Sequence, residues 1–140
     1  MTSQGNFVII NTEDISAIGR ATAGIRAIKL NEDDTVICSQ IITGKFLITI
    51  SSAGLVKKAS LEDFPICNRG IKGKRISGVR ENDEIVRFLT LNEDCDIIAI
   101  SNKGVLKFNT SDLRILSRDA TGVKAMTLAE NTKIVDLVEA

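Results

Sequence analysis

Short apolar, β-branched runs recur along the chain and set its expected secondary structure. Phe46–Ile50 and Ile97–Ile100 each lead into a Gly-containing turn, Ser52-Ala53-Gly54 or Asn102-Lys103-Gly104, which suits a β-hairpin. A second run follows at Leu55–Lys58 and Val105–Phe108. Phe7–Ile10 is its counterpart near the start, with Asn6 at the turn position. A third run spans Ile25–Leu30, Lys74–Val79 or Val123–Leu128. In the first of these the alternation is partial, with Arg26 and Lys29 as polar positions among Ile25, Ala27 and Leu30. Polar turns at Asn31–Asp34, Arg80–Asp83 and Ala129–Thr132 precede a fourth run, Val36–Ile42, Ile85–Leu91 or Ile134–Val138. No window of about twelve residues carries a 3.6-residue period, and Ser111–Leu116 has room for one helical turn at most.

These runs are copies of one unit. Ser51–Lys57 aligns with Ser101–Lys107, Asp63-Phe64 with Asp112-Leu113, Arg69 with Arg118, Gly73 with Gly122 and Ile85-Val86 with Ile134-Val135. Asn11-Thr12, Asp14, Arg20 and Val36-Ile37 align with Asn109-Thr110, Asp112, Arg118 and Ile134-Val135. The period is about 49–50 residues, and the units run approximately over 1–45, 46–95 and 96–140. Four strands per unit, repeated in tandem, read as the blades of a propeller-like, all-β fold. A sandwich does not require such regular recurrence, and the coils of a β-solenoid are usually much shorter. The first unit begins at its first hairpin turn, so its first strand is missing. A closed propeller has about 4–8 blades, so the chain is expected to be part of a larger domain. Alone, it would either pair with a second copy or stay an open arc with exposed strand edges.

Composition narrows the function classes. Hydrophobic residues make up 44% and charged residues 26%, as in a chain that folds. There is no His, Tyr or Trp, which removes the commonest general base and metal ligand and any phenolic nucleophile. Cys38, Cys67 and Cys95 are odd in number and widely spaced, so they read as reduced thiols and not as a ligand set. Asp33-Asp34, Glu81 and Asp83-Glu84 sit in connecting turns, where carboxylates cap backbone amides more often than they bind metals or do acid–base chemistry. No GxxxxGK[ST] loop is present for a nucleotide. No cofactor or metal is expected. Met1–Gly5 lacks the pattern of a signal peptide and no apolar stretch nears the ~20 residues of a membrane helix, so the expected location is the cytoplasm. Lys plus Arg and Asp plus Glu both number 18, and a zero total by itself argues against a nucleic-acid partner.

The repeated pattern itself resembles a known family. Gly104-Val-Leu-Lys-Phe108, Asp112-Leu113 and Arg118-Asp-Ala-Thr-Gly122-Val-Lys124 carry it most clearly, and Arg20-Ala-Thr-Ala-Gly24-Ile-Arg26 repeats it. The likeness is to the C-terminal domain of DNA gyrase A and the related domain of the corresponding topoisomerase IV protein. It implies a β-pinwheel of about six blades that exchange strands, of which this chain supplies about three. It also implies a non-catalytic module that binds duplex DNA on a basic rim and wraps it. The module would serve an ATP-dependent supercoiling topoisomerase, with gyrase the favoured parent, together with the rest of gyrase A and with gyrase B. Cys67-Asn68-Arg69-Gly70-Ile71-Lys72-Gly73 matches the gyrase box Gln-Arg-Arg-Gly-Gly-Lys-Gly at four of seven positions. The cleaving tyrosine of the family has no counterpart in this chain.

With that likeness in view, the cations become candidates. Arg69, Lys72, Lys74, Arg75 and Arg80 occur without an intervening acid and read as a phosphate-contacting segment, with Gly70 and Gly73 allowing close backbone approach; the alternative is a solvated turn. Lys57 and Lys58 would line the rim or protect a strand edge. Arg26, Lys29, Lys103, Lys107 and Lys124 occupy comparable places in the units. Asp14/Arg20, Asp63/Arg69 and Asp112/Arg118, each six residues apart, read as structural ion pairs. Five Phe residues do not make a base-stacking platform. The rival reading is a protein-interaction scaffold, for which the charges would be scattered and paired.

Overall fold

Nine strands form in the computed structural model, which describes residues 1–76 and 79–140. They are β1 (Asn6–Phe7), β2 (Phe46–Ser51), β3 (Leu55–Ser60), β4 (Lys74–Arg75), β5 (Ile85–Leu91), β6 (Asp96–Ser101), β7 (Gly104–Asn109), β8 (Val123–Lys124) and β9 (Ile134–Glu139). Single 3-10 turns at Thr12–Asp14, Leu61–Asp63 and Thr110–Asp112 recur with the repeat. Among the described residues no helix is long and apolar enough to cross a membrane. The sheets run β1-β4, β5-β2-β3-β8 and β7-β6-β9, all antiparallel.

The third strand of a unit does not stay with its own blade. β4, from the second unit, pairs with β1 of the first, and β8, from the third unit, pairs with β3 of the second. Each is two residues long, shorter than expected from Lys74–Val79 and Val123–Leu128, and Ser77 and Gly78 of the former lie outside the described residues. Among the described residues Ile25–Leu30, the matching segment of the first unit, has no antiparallel acceptor and makes only a parallel bridge from Ile28 to Ile71. Val36–Ile42 is likewise reduced to a bridge from Val36 to Thr2 among the described residues. That bridge repeats the pairings Ser51↔Ile85 and Ser101↔Ile134.

The polar turns form where the pattern places them. The amides of Asp34, Asp83 and Thr132 donate to the carbonyls of Asn31, Arg80 and Ala129, and Asp33, Asn82 and Asn131 take positive φ of 60°, 62° and 58°. The first hairpin turns on Gly5, at φ 81° like Gly54, and Asn6 belongs to β1, one residue past the expected turn position. Asp34 ties this hairpin to its turn, accepting from the Ser3 hydroxyl, the Gln4 amide and the Asn6 side chain at 3.0, 3.0 and 3.1 Å. Asp83 does the same for Ser52 and Ala53 at 2.8 and 2.9 Å. Burial pushes the Asp34 carboxyl up, but the donations from Gln4, Thr2, Asn6 and Ser3 outweigh it and hold it below its ordinary value.

The middle sheet is covered on both faces, which explains why β2 reads as a continuous apolar run and not an alternating one. Leu47 joins a cluster with Phe7, Phe64, Ile76, Ile85 and Phe88 on one face. Ile48 and Ile50 join Val56, Leu91, Ile97, Ile134 and Leu137 on the other. Phe7 meets Phe64 and Phe88 edge-on, with centroids 5.5 and 5.4 Å apart.

Lys57 and Lys58 depart from expectation. β3 pairs with β2 on one side, and its other side is covered by β8 at Leu55 and Val56 and by a bridge from Ile115 at Lys58. Both lysines are buried, so neither guards an open edge. Lys57 is 2% exposed, and its ammonium donates to the carbonyls of Ile76, Arg118 and Ala120 at 2.5, 2.5 and 2.8 Å. Three ammonium hydrogens meet three acceptors from the second and third units. Burial pushes its pKa down to about 8, so it is charged at neutral pH. Lys58 bonds Asp94 at 2.5 Å and lies 4.5 Å from the centre of the Phe46 ring.

Three outcomes follow for stability. Phe88→Ala is expected to cost about 3–5 kcal/mol, and Ile41→Ala, at a side chain 71% exposed, less than about 0.5, both by chemical denaturation. Lys57→Met strands three carbonyls and costs about 1–3 kcal/mol in the same assay. Because the folded pKa of Asp34 is lowered, its contribution is complete above the unfolded value of about 4 and fades as pH falls through the folded value. Asp34→Asn should therefore flatten the acid limb of a stability–pH profile below about pH 4 and lower stability at neutral pH.

Candidate nucleic-acid interface

Strand exchange determines which cations become neighbours. β4 carries Lys74 and Arg75 onto β1, opposite Phe7 and Asn6. The chain just before β4 turns through Gly70, at φ 82°, and runs beside the third segment of the first unit. The Gly70 amide donates to the Ala27 carbonyl at 2.7 Å, and the Lys29 amide to the Ile71 carbonyl at 2.9 Å. These two bonds lay Arg26–Lys29 alongside Arg69–Lys72. Arg26, Lys29, Arg69, Lys72 and Arg75 are exposed and Lys74 is half-buried. None of the six makes an ion pair among the described residues.

The remaining candidates separate. Lys124 is exposed on β8, opposite Leu55, where it repeats Arg75 at the next junction. Arg80 is exposed but sits in the Arg80–Asp83 turn, next to Glu81 and the Asp83 cap, apart from the Arg69–Arg75 run. Lys107 is exposed yet paired with Asp96 at 2.8 Å, which holds that carboxyl below its ordinary value. Lys103 donates to the Glu130 carbonyl at 2.8 Å. Lys57 and Lys58 are turned into the fold and leave the candidate surface. The close approaches of Gly70 and Gly73 are internal: the Gly70 amide is spent on Ala27, and a Cβ on Gly73 would run into the carbonyl of Phe7 and the side chain of Val8.

The pairs of Asp and Arg six residues apart do not form among the described residues. Arg118 reaches Asp119 instead, at 3.5 Å, and Arg20 and Arg69 are exposed with no carboxylate within ion-pair range there. Arg20 is thus a cation that the sequence reading assigned to structure. Its repeat equivalence to Arg69 is the signal that groups the two. Arg87 pairs with Asp136 at 3.3 Å, and neither partner stood out in the pattern. Among the described residues no three His, Cys, Asp or Glu side chains cluster to hold a metal, and Cys38, Cys67 and Cys95 are free thiols.

This surface can offer fixed positive charge to a polyanion. Its cations come from two units, on extended segments tied by backbone bonds, so their spacing is set by the fold and not by flexible loops.

Comparison with known proteins places the fold. The family model described as the DNA gyrase C-terminal domain, beta-propeller, matches residues 1–37, 45–92 and 96–138. The DNA gyrase A protein of Staphylococcus aureus (strain NCTC 8325 / PS 47) is 33% identical over 146 aligned positions, covering 97% of this chain and 16% of that protein. The DNA gyrase A protein of Ureaplasma parvum serovar 3 is 26% identical over 94% of this chain and 16% of its own length. The chain therefore spans about a sixth of the relatives it matches. Among solved structures, a DNA gyrase A C-terminal domain superposes with a TM-score of 0.90 at 21% identity, over 99% of this chain and 48% of that one. The C-terminal domain of a DNA topoisomerase IV gives 0.89 at 22% identity, over 99% and 44%. With all three units matched in register, the chain belongs to the DNA gyrase C-terminal domain family of β-propellers.

Proposed function

We propose that this chain binds duplex DNA through the surface shared by its first and second units and helps to wrap it. It would act in the cytoplasm as a non-catalytic part of the gyrase A-type protein of a type IIA topoisomerase. The observation that carries the reading is the alignment of Arg26–Lys29 with Arg69–Lys72, continued by Lys74 and Arg75. These cations have no carboxylate partner among the described residues, in a chain whose total charge is zero. Family membership supports it, and gyrase is the favoured parent because the curated relatives described above are gyrase A proteins. The rest of gyrase A, with gyrase B, would then supply cleavage and ATP hydrolysis, since this chain holds no tyrosine and no phosphate-binding loop. Supercoiling would be a property of that assembly.

Binding would be driven by release of the counterions condensed on the duplex. Bending a 20–30 base-pair site costs about 1–6 kcal/mol, which several phosphate contacts must offset. No helix is available to enter a major groove among the described residues, so sequence preference should be weak. The scaffold reading draws on the neutral total and on the pairs Lys58–Asp94, Arg87–Asp136 and Lys107–Asp96. None of those pairs involves a residue of Arg20–Lys29 or Arg69–Arg80.

Salt-titrated binding to a duplex about 40 base pairs long tests the proposal. With about 4–6 phosphates neutralised, log K against log salt should slope at roughly −4 to −5. Changing Arg69, Lys72 and Lys74 together to Glu should weaken binding at least tenfold and make the slope shallower by about 3. A slope near zero for the unaltered chain would contradict the proposal and favour the scaffold.

A further inference from the structure

The chain contains the two halves of a blade-to-blade junction, unjoined, in its first and third units. The joined form occurs twice. In one, Arg75 faces Asn6, Lys74 faces Phe7, and the Ile76 amide donates to the Gly5 carbonyl at 2.9 Å. In the other, Lys124 faces Leu55, Val123 faces Val56, and the Ala125 amide donates to the Gly54 carbonyl at 2.9 Å. In both, the incoming strand is preceded by a glycine, Gly73 or Gly122, pressed against the acceptor's backbone at Phe7 or Val56.

The third acceptor is β7. It pairs with β6 on one side, and its other edge has no partner among the described residues. Val105 is 68% exposed there, whereas its counterparts Phe7 and Val56 are buried under an incoming strand. The third donor is Gly24–Ala27. Gly24 is held at φ 80°, as Gly73 is at 77°, yet no atom lies within 4 Å of where its Cβ would be. The Ala27 amide donates to no backbone carbonyl among the described residues. The donor therefore keeps the junction's backbone shape without an acceptor, and the acceptor is extended without a donor.

We infer that a second copy of this chain completes both halves: Gly24–Ala27 of each copy adds to the β7 edge of the other, giving a closed ring of two chains. Repeat equivalence sets the register: Val105 stands to Ile100 as Val56 does to Ile50, which puts Ile25 opposite Val105, Arg26 opposite Gly104, and the Ala27 amide on the Lys103 carbonyl. Length supports a ring of two. The chain superposes over 99% of itself on solved domains of which it covers 48% and 44%, so two copies end to end reach about the length of one such domain. A donor-to-acceptor contact of this kind gives an open fibre unless the rotation closes, and closure after two copies leaves neither the donor segment nor the β7 edge unpaired. The inference stands on strand geometry and is independent of DNA binding.

The test mixes chain carrying only Ile25→Cys with chain carrying only Val105→Cys under mild oxidation, and maps disulfides by mass spectrometry. Directly opposed strand residues lie within disulfide reach, so a 25–105 bond is expected, and more of it than from a Lys29→Cys/Val105→Cys control mixture. Light scattering of the unaltered chain should give twice the 15.2 kDa of one copy. Ala27→Pro, which removes the donated amide, should shift that mass toward a single copy. A single-copy mass for the unaltered chain, absence of the 25–105 bond, or a ladder of ever larger masses would overturn the inference. The cross-link does not depend on how well Ala27→Pro folds.

Discussion

A strand from the second unit pairs with the edge of the first, and one from the third with the edge of the second, and most of what the molecule offers depends on this pairing. β4 on β1 and β8 on β3 are only two residues long, yet they bind consecutive units together. They leave the middle sheet with clusters on both faces, so β2 can be buried along nearly its whole length. They also decide which side chains meet. The second unit's cations lie beside the first unit's because the Arg69–Arg75 segment leaves its own sheet to reach β1.

The two junctions solve one problem with different chemistry. Between the first and second units, the Gly70 amide bonds directly to the Ala27 carbonyl. At the equivalent place one unit on, the carbonyl is that of Ile76, and the Lys57 ammonium stands between it and the Arg118 and Ala120 carbonyls. The first unit has Val8 at the position of Lys57, and no such bridge is needed there. A buried lysine is tolerated because every ammonium hydrogen finds an acceptor.

Much of this was legible in the pattern, and the misses have physical causes. The hairpins, the polar turns and the fourth strands of the second and third units depend on local chemistry: a turn glycine, an Asn or Asp at positive φ, a β-branched run. The third strands were overextended, since a periodic apolar run cannot reveal that its acceptor belongs to another unit and touches only two residues. Lys57 and Lys58 depart from the pattern because a lysine's position along a strand does not say whether neighbouring units cover it. Sequence spacing also paired Asp63 with Arg69 and Asp14 with Arg20, whereas the turns between them leave both arginines in solvent. The zero net charge was the least informative number. Asp34, Asp83, Asp94 and Asp96 are engaged in caps and ion pairs, so they do not cancel the cations of the first two units.

Lysine acetylation footprinting, read by mass spectrometry with and without a duplex, tests the account most directly because it reports every lysine at once. The account predicts that Lys29, Lys72 and Lys74 react in the free chain and are protected by duplex DNA. Lys57 and Lys58 should resist the reagent in both states, and Lys45 and Lys133 should react equally in both. Unchanged reactivity at Lys29, Lys72 and Lys74, or ready labelling of Lys57, would contradict it.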